Sequence, residues 1–428
     1  VTKILVVKPV MPYPPDQGTK VVTFNLLKVL SRHFEVSLVC GLLDRKDAHM
    51  VEGLRPYCRK VFTYLLPNRK SVFHSAYHKG RNVLRAKLSG FPVESYYLAP
   101  TELSKRVVEV TRSSSYDIAQ FDYWFTADAA RHAEADCKVL LEHDVDFLRY
   151  HRRLVVTEGF WARRDLEKTL SAVRAREIRA YSEFDRVLAL SETDSVLIEK
   201  LAGIKGISRH LPVMVDCEKF SPTSEAKIPS SIVFLGALDA DFNVDAIVFF
   251  CENIFPLILD EVSDARLLIV GRKPPKSVRK LADGRRIVLS ADVKDVVPYV
   301  RRCMVQVVPL RFGGGVRIRT LEGMSMGMAI VSTSIGMDGV MAKPGRDLLL
   351  GDSPKEFAAR VVELLRSPML GRRLGERARE FVTANHSREV VEDRIAELYG
   401  ELKKQGEERR AHIEGGARGP DTLTSHQG

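Results

Sequence analysis

Short apolar runs rich in Val, Ile and Leu, each separated from the next by a longer stretch with helical spacing, restrict this chain to few folds. Lys3–Val7, Glu35–Cys40, Asp117–Phe121, Lys138–Leu141 and Arg186–Leu190 carry the first half. Between the first two, Val21–Leu30 places apolar residues at i, i+3 and i+4, the pattern of an amphipathic helix. Nearly continuous apolar strands are buried on both faces, and the alternating helices supply the cover. The expectation is parallel sheet in an α/β architecture. The pattern restarts after Ser221–Ser231, a polar, proline-bearing stretch that reads as a linker. Ile232–Leu235, Ala265–Val270, Arg286–Leu289, Val305–Pro309 and Ala329–Ser332 follow it. Two doubly wound α/β units joined by one linker result, with a functional cleft expected between them or at the carboxyl ends of their strands.

Composition narrows the partners. The 428 residues carry a formal charge of +11, which favours contact with something anionic: nucleic acid, acidic lipid or a phosphorylated small molecule. No Lys/Arg stripe with interleaved aromatics and no zinc or helix-turn-helix pattern is present, so nucleic acid is disfavoured. Cys40, Cys58, Cys137, Cys217, Cys251 and Cys303 are scattered, without a CxxC pair. They read as reduced thiols of a cytoplasmic protein, with neither a disulfide framework nor a metal site. No run of about 18 uninterrupted apolar residues suggests a membrane span. The chain opens at Val1, which reads as a processed or trimmed start. Tyr77–Leu88 sets Lys79, Arg81, Arg85 and Lys87 beside Val83, Leu84 and Leu88. It reads either as an interfacial helix giving peripheral contact with an anionic membrane at its inner face, or as a solvated helix over the core. The charge-rich stretch 151–185 is expected to form one or two solvated helices, and the glycine-bearing tail 406–428 to be disordered.

The most informative stretch is Pro309–Gly327, PLRFGGGVRIRTLEGMSMG. Gly313, Gly314 and Gly315 stand at a strand-to-helix junction, where backbone N–H groups of the loop and first helical turn have no intrachain partner and can bind phosphate. Val316 opens the helix, and Arg317 and Arg319 offer planar forks that match phosphate oxygens. The alternative is a flexible turn before a basic helix. Glu322 lies among Leu321, Met324 and Met326, where a carboxylate must be paired or hydrogen-bonded. It either pairs with Arg319 three residues back or accepts hydrogen bonds from a ligand diol such as a ribose.

This stretch resembles the donor segment of glycosyltransferase family 4 (glycosyl transferases group 1). It is most similar to the exopolysaccharide-type branch with the motif GGGxRxK/RxLE. Phe234–Asp245, Ile269–Pro274, Pro12–Gly18 and Leu141–Asp146 resemble further family segments in the expected order, so the similarity spans about residues 3–385. It implies the GT-B fold of two facing Rossmann-like domains. The implied division is an acceptor-side domain at 1–220, a linker at 221–231, a nucleotide-sugar domain at 232–385 and a helix at 386–405 crossing back. The family commonly has a Glu-x7-Glu pair, whereas here Gly314 holds the first position and only Glu322 carries over. Thr19 replaces the second of two glycines after Gly18, and the Arg and Lys that often follow Gly236 are absent.

The resemblance implies retaining transfer of a sugar from a UDP- or GDP-linked donor to a saccharide or lipid-linked hydroxyl acceptor in cell-surface polysaccharide assembly, with no metal and no cofactor. His143 and Glu322 would be the catalytic pair. Gly18, Gly236, Arg272, Gly313, Gly314, Gly315, Val316, Arg317 and Arg319 would bind the donor. Each has a plainer reading: His143 bonded to Asp144, Gly18 in a proline-rich turn, Arg272 in solvent, Asp144 capping the following helix. Two other functions suit the fold, a nucleotide-sugar 2-epimerase and a catalytically silent binding protein.

Overall fold

The computed structural model describes residues 1–66, 88–90 and 92–416. The basic segment 77–87 lies outside them. Two separate parallel sheets form. The first runs β3-β2-β1-β4-β5-β6-β7, with β1 (Lys3–Lys8), β2 (Glu35–Leu42), β3 (Lys60–Leu65), β4 (Ile118–Asp122), β5 (Cys137–Glu142), β6 (Arg186–Ala189) and β7 (Ser208–His210). The second runs β10-β9-β8-β11-β12-β13, with β8 (Ser231–Leu235), β9 (Arg266–Gly271), β10 (Ile287–Ala291), β11 (Val305–Val308), β12 (Ala329–Ser332) and β13 (Leu349–Leu350). Each order reverses once, between β1 and β4 and between β8 and β11. Loops leaving the carboxyl ends there diverge and leave a crevice.

The ten expected strands form. Three of the four edge strands, β3, β7 and β13, carry weaker apolar signals, because an edge strand has only one hydrogen-bonded neighbour and less to bury; the fourth edge, β10, is among the expected strands. Helix Gly18–His33 encloses the expected amphipathic stretch, burying Phe24, Leu26, Leu27 and Leu30. The run Asp241–Glu261 is long and apolar enough to cross a membrane by composition. Here it buries Ala246, Ile247, Phe250, Ile254 and Ile258 in the core of the second sheet.

Two expectations change. The charged stretch 151–185 does form two helices, Asp146–Val156 and Phe160–Tyr181, but it is not merely solvated: Val173, Glu177, Ala180 and Tyr181 are buried. The tail is helical well past residue 406, since the last helix runs Arg388–Gly416. It returns to the first half, where Tyr399 and Leu402 are buried and the Tyr399 hydroxyl donates to Gln120 Oε1 on β4. Lys403–Glu407 and Arg410–Asp136 ion pairs continue beyond the point where composition suggested disorder.

Candidate functional site

Parallel register builds the first wall. Val7 of β1 pairs with Phe121 of β4, and Phe121 with Leu140 of β5. One step on, Lys8 and Asp122 therefore project from the same face of the sheet, and His143 follows just past β5. Lys8 Nζ lies 2.9 Å from Asp122 Oδ2 and 3.2 Å from His143 Nε2. His143 Nε2 is 2.9 Å from the same Asp122 oxygen. Thr23 donates to Oδ2 at 2.8 Å, and Gln120 to Oδ1 at 2.9 Å. All three ionisable side chains are buried. Burial opposes the Asp122 charge, yet Lys8 and His143 outweigh it and hold this carboxyl well below the usual range. Burial and the Lys8 charge push the His143 imidazole down to about 4. Tyr123, at φ 72°, sets its ring 4.7 Å from that of His143. His143 Nδ1 has no hydrogen-bond partner among the described residues. Asp122, and not Asp144, is thus the histidine's carboxylate partner.

The opposite wall is the glycine loop after β11. Gly313 (φ 137°) and Gly315 (φ 67°) occupy backbone conformations that L side chains rarely adopt. A Cβ at Gly315 would fall 1.8 Å from Asp144 Oδ1 and 2.5 Å from the His143 carbonyl oxygen. The bare backbone therefore lets the two halves meet. The helix expected from Val316 begins at Ile318. Arg317 lies just before it, its guanidinium 5.3 Å above the Phe242 ring. Arg317 Nε and Nη2 are buried without a partner among the described residues. Burial pulls the guanidinium's pKa down, against Asp144 and Asp338. Asp144 is itself pushed up to about 6 by burial, against Arg317 and Arg149.

Between the walls is a cavity of about 300 Å³. Gly18, His143, Arg272, Gly314, Val316 and Arg317 line it, joining expected residues from both halves. Arg272 is not in solvent: it pairs with Asp16 at 3.1 Å across the gap and with Asp239 at 2.9 Å. Gly236 stands behind the lining residue Ala237, with Asn243 against it. Arg319 and Glu322 are not among the lining residues. They pair with each other at 2.6 Å, and Glu322 is 2% exposed. Asp144 does not cap the next helix. Glu177 does, accepting from the N–H groups of Asp146 at 2.7 Å and Phe147 at 2.9 Å.

Sequence reasoning missed three contributors. Lys8 ends an apolar strand, and a lysine there is a signal, because a buried ammonium requires a partner. Asp122 closes β4 in the same way. Arg152 gave no such signal among its many basic neighbours, yet it donates to Gly313 O at 3.0 Å and pairs with Asp338 at 2.6 Å.

Two parallel-sheet α/β domains whose strand ends face one another across a shared cavity define the GT-B architecture. Residues 229–367 match the family model described as glycosyl transferases group 1, so the chain carries a glycosyltransferase domain of that family. Over 401 residues it is 21% identical to an uncharacterized 44.6 kDa protein in the cps region of Klebsiella pneumoniae, covering 91% of this chain and 97% of that one. Among solved structures, sucrose-phosphate synthase from Thermosynechococcus elongatus aligns with a TM-score of 0.67 at 16% identity, covering 94% of this chain and 99% of that one. Anabaena HepE in complex with UDP-glucose aligns with a TM-score of 0.65 at 12% identity, covering 94% and 100%.

Proposed function

We propose that the protein moves a sugar, with retention of configuration, from a nucleotide-diphosphate donor to a hydroxyl of a saccharide or lipid-linked acceptor during capsule or other cell-surface polysaccharide assembly. The work would be done in the cytoplasm, at the inner face of the membrane. The motif GGGxRxRxLE supports assignment to an exopolysaccharide-type branch. Support for the pathway comes from the relative in a capsule region, and support for a uridine-linked donor from the HepE complex.

One observation carries the reading: Arg317 holds two buried, unpartnered nitrogens beside the glycine loop, in a cavity that also contains His143. A buried guanidinium with unpaired nitrogens is costly and becomes satisfied when a phosphate binds. Charge growing on the departing diphosphate is met by Arg317, Arg272 and the N–H groups of Gly314 to Val316, a preorganised set that needs no resident metal or cofactor. His143 stands at the opposite side, where the transferred sugar would sit. Glu322 is held by Arg319 outside the cavity lining, so it would meet a ribose diol only by giving up that pair.

Calorimetric titration with uridine and guanosine diphosphates, followed by a labelled nucleotide-sugar panel, tests this. Binding of one nucleotide, and transfer of its sugar to an added acceptor, is the expected result. A panel yielding a C2 epimer instead, or no binding at all, defeats it.

A further inference from the structure

The buried Lys8 ammonium donates to Asp122 Oδ2 at 2.9 Å and to the Tyr123 hydroxyl at 3.4 Å, and its charge lies 3.2 Å from His143 Nε2. An Asp–His pair alone would favour the imidazolium, because the carboxylate stabilises the added positive charge. Here the carboxylate is already neutralised by Lys8. A second cation 3.2 Å from the first, in a site that excludes water, is opposed by Coulomb repulsion and by desolvation together. Of the neutral forms, the one with its proton on Nε2 donates to Asp122 at 2.9 Å and avoids setting two lone pairs against each other. That leaves Nδ1 as a bare acceptor, and Nδ1 is the buried ring atom without a partner.

We infer that Lys8 is a positioning residue for the transfer reaction: by pairing with Asp122 it holds His143 as the neutral imidazole that donates through Nε2 and turns an unprotonated Nδ1 to a hydroxyl of the bound substrate. The inference rests on the proposed transfer. The other groups facing this ring are Tyr123, whose own ionisation burial suppresses, and the uncharged Thr23 and Gln120 behind Asp122. Asp144 follows His143 in the chain, and Arg317 counters its charge from across the cavity. Lys8 is thus the cation in direct contact with the ring. Removing it leaves Asp122 free to draw a proton onto His143, converting Nδ1 from acceptor to donor.

The test is long-range proton–nitrogen NMR of the full chain labelled at histidine, with the His143 signal identified by its loss in His143→Gln. In the wild type the ring is expected to be neutral and protonated on Nε2 down to about pH 5.5. Lys8→Met is expected to raise its titration midpoint by about two pH units, and Lys8→Met/Asp122→Asn to lower it again. Transfer by Lys8→Met is expected to fail below the new midpoint and recover above it, a limb absent from the wild-type profile. A wild-type ring protonated on Nδ1, or titrating like a free histidine, overturns the inference without recourse to any variant. So does a midpoint unmoved in Lys8→Met. A wild type that transfers no sugar removes the transfer reading and the positioning role together, whereas a ring in the wrong state removes the positioning role alone.

Discussion

Arg152, on the helix that follows His143, donates through Nη1 to the carbonyl oxygen of Gly313 at 3.0 Å, so the first half of the chain grips the phosphate loop of the second. The same nitrogen reaches Asp338 Oδ2 at 2.6 Å, and the adjacent Arg153 pairs with Asp241 at 2.8 Å. With the Gly313 oxygen tied back, the N–H groups that follow are oriented before a donor arrives. Arg152→Ala should release the loop while leaving both cores whole. Hydrogen bonds from a charged donor contribute about 1.5–3 kcal/mol, less where solvent reaches them. Donor affinity measured by calorimetry is expected to fall about tenfold, with the apo melting temperature nearly unchanged.

Arg317 should show the opposite balance. Its buried Nε and Nη2 lack partners among the described residues, so the guanidinium bears a desolvation cost that an anion would relieve. Arg317→Ala is expected to weaken uridine diphosphate binding by about 100-fold, equivalent to about 3 kcal/mol, while the apo melting temperature holds or rises. Arg317→Lys is expected to recover little binding, since a point charge does not reproduce the fork. A stability loss with affinity retained would show that the guanidinium serves the interface and not the ligand.

How far the sequence discloses this site follows from what each signal depends on. Strand and helix alternation is local, so the two sheets are legible, and the three glycines announce a backbone that must come close to something. What they approach is not legible, because Asp144 lies some 170 residues from Gly315 and meets it only through the relative placement of the domains. Arg152 and Arg153 look like their solvated neighbours until the glycine loop is set against them. The Lys8–Asp122 pair depends on the register of β1 against β4, strands more than 100 residues apart. Glu322 is legible as a carboxylate in need of a partner, and of the two left open, Arg319 or a ligand diol, the structure pairs it with Arg319.

The reverse face of β5 predicts a pH effect. Glu142 projects away from His143 toward Glu177, and its Oε2 has no partner among the described residues. Burial, then the charge of Glu177, raises Glu142 well above its ordinary value. Burial and Asp146 push Glu177 up to about 8. Both folded values lie above the unfolded ones. The stability these acids lend is therefore complete below the ordinary carboxylate range and is lost as pH rises, through about 8 for Glu177. Melting temperatures are expected to fall between about pH 5.5 and pH 8.5, with about 1.4 kcal/mol lost per pH unit for each proton involved. Glu142→Gln, which removes one of the two buried charges, should flatten that slope. An unchanged slope would show that the carboxyls ionise freely.

Gly315→Ala tests whether the meeting of the two halves is needed for donor binding or merely tolerates it. The residue sits at φ 67°, and an added Cβ would overlap Asp144 Oδ1 and the His143 carbonyl oxygen. The methyl cannot be absorbed by a side-chain rotation alone, because one of the two obstacles is backbone. The loop must retreat from His143 and Asp144, carrying Arg317 with it. Left-handed strain costs on the order of 1–3 kcal/mol, and the displaced phosphate ligands should cost affinity as well. The expected outcome is a lower melting temperature together with at least tenfold weaker nucleotide binding. Gly400→Ala, on the last helix and outside the cavity lining, serves as its control, since a Cβ there would meet nothing within 4 Å and should change neither quantity by much. Equal tolerance at the two positions would mean that the cavity opens freely in solution and that the contact between Gly315 and the His143–Asp144 segment is not what shapes it.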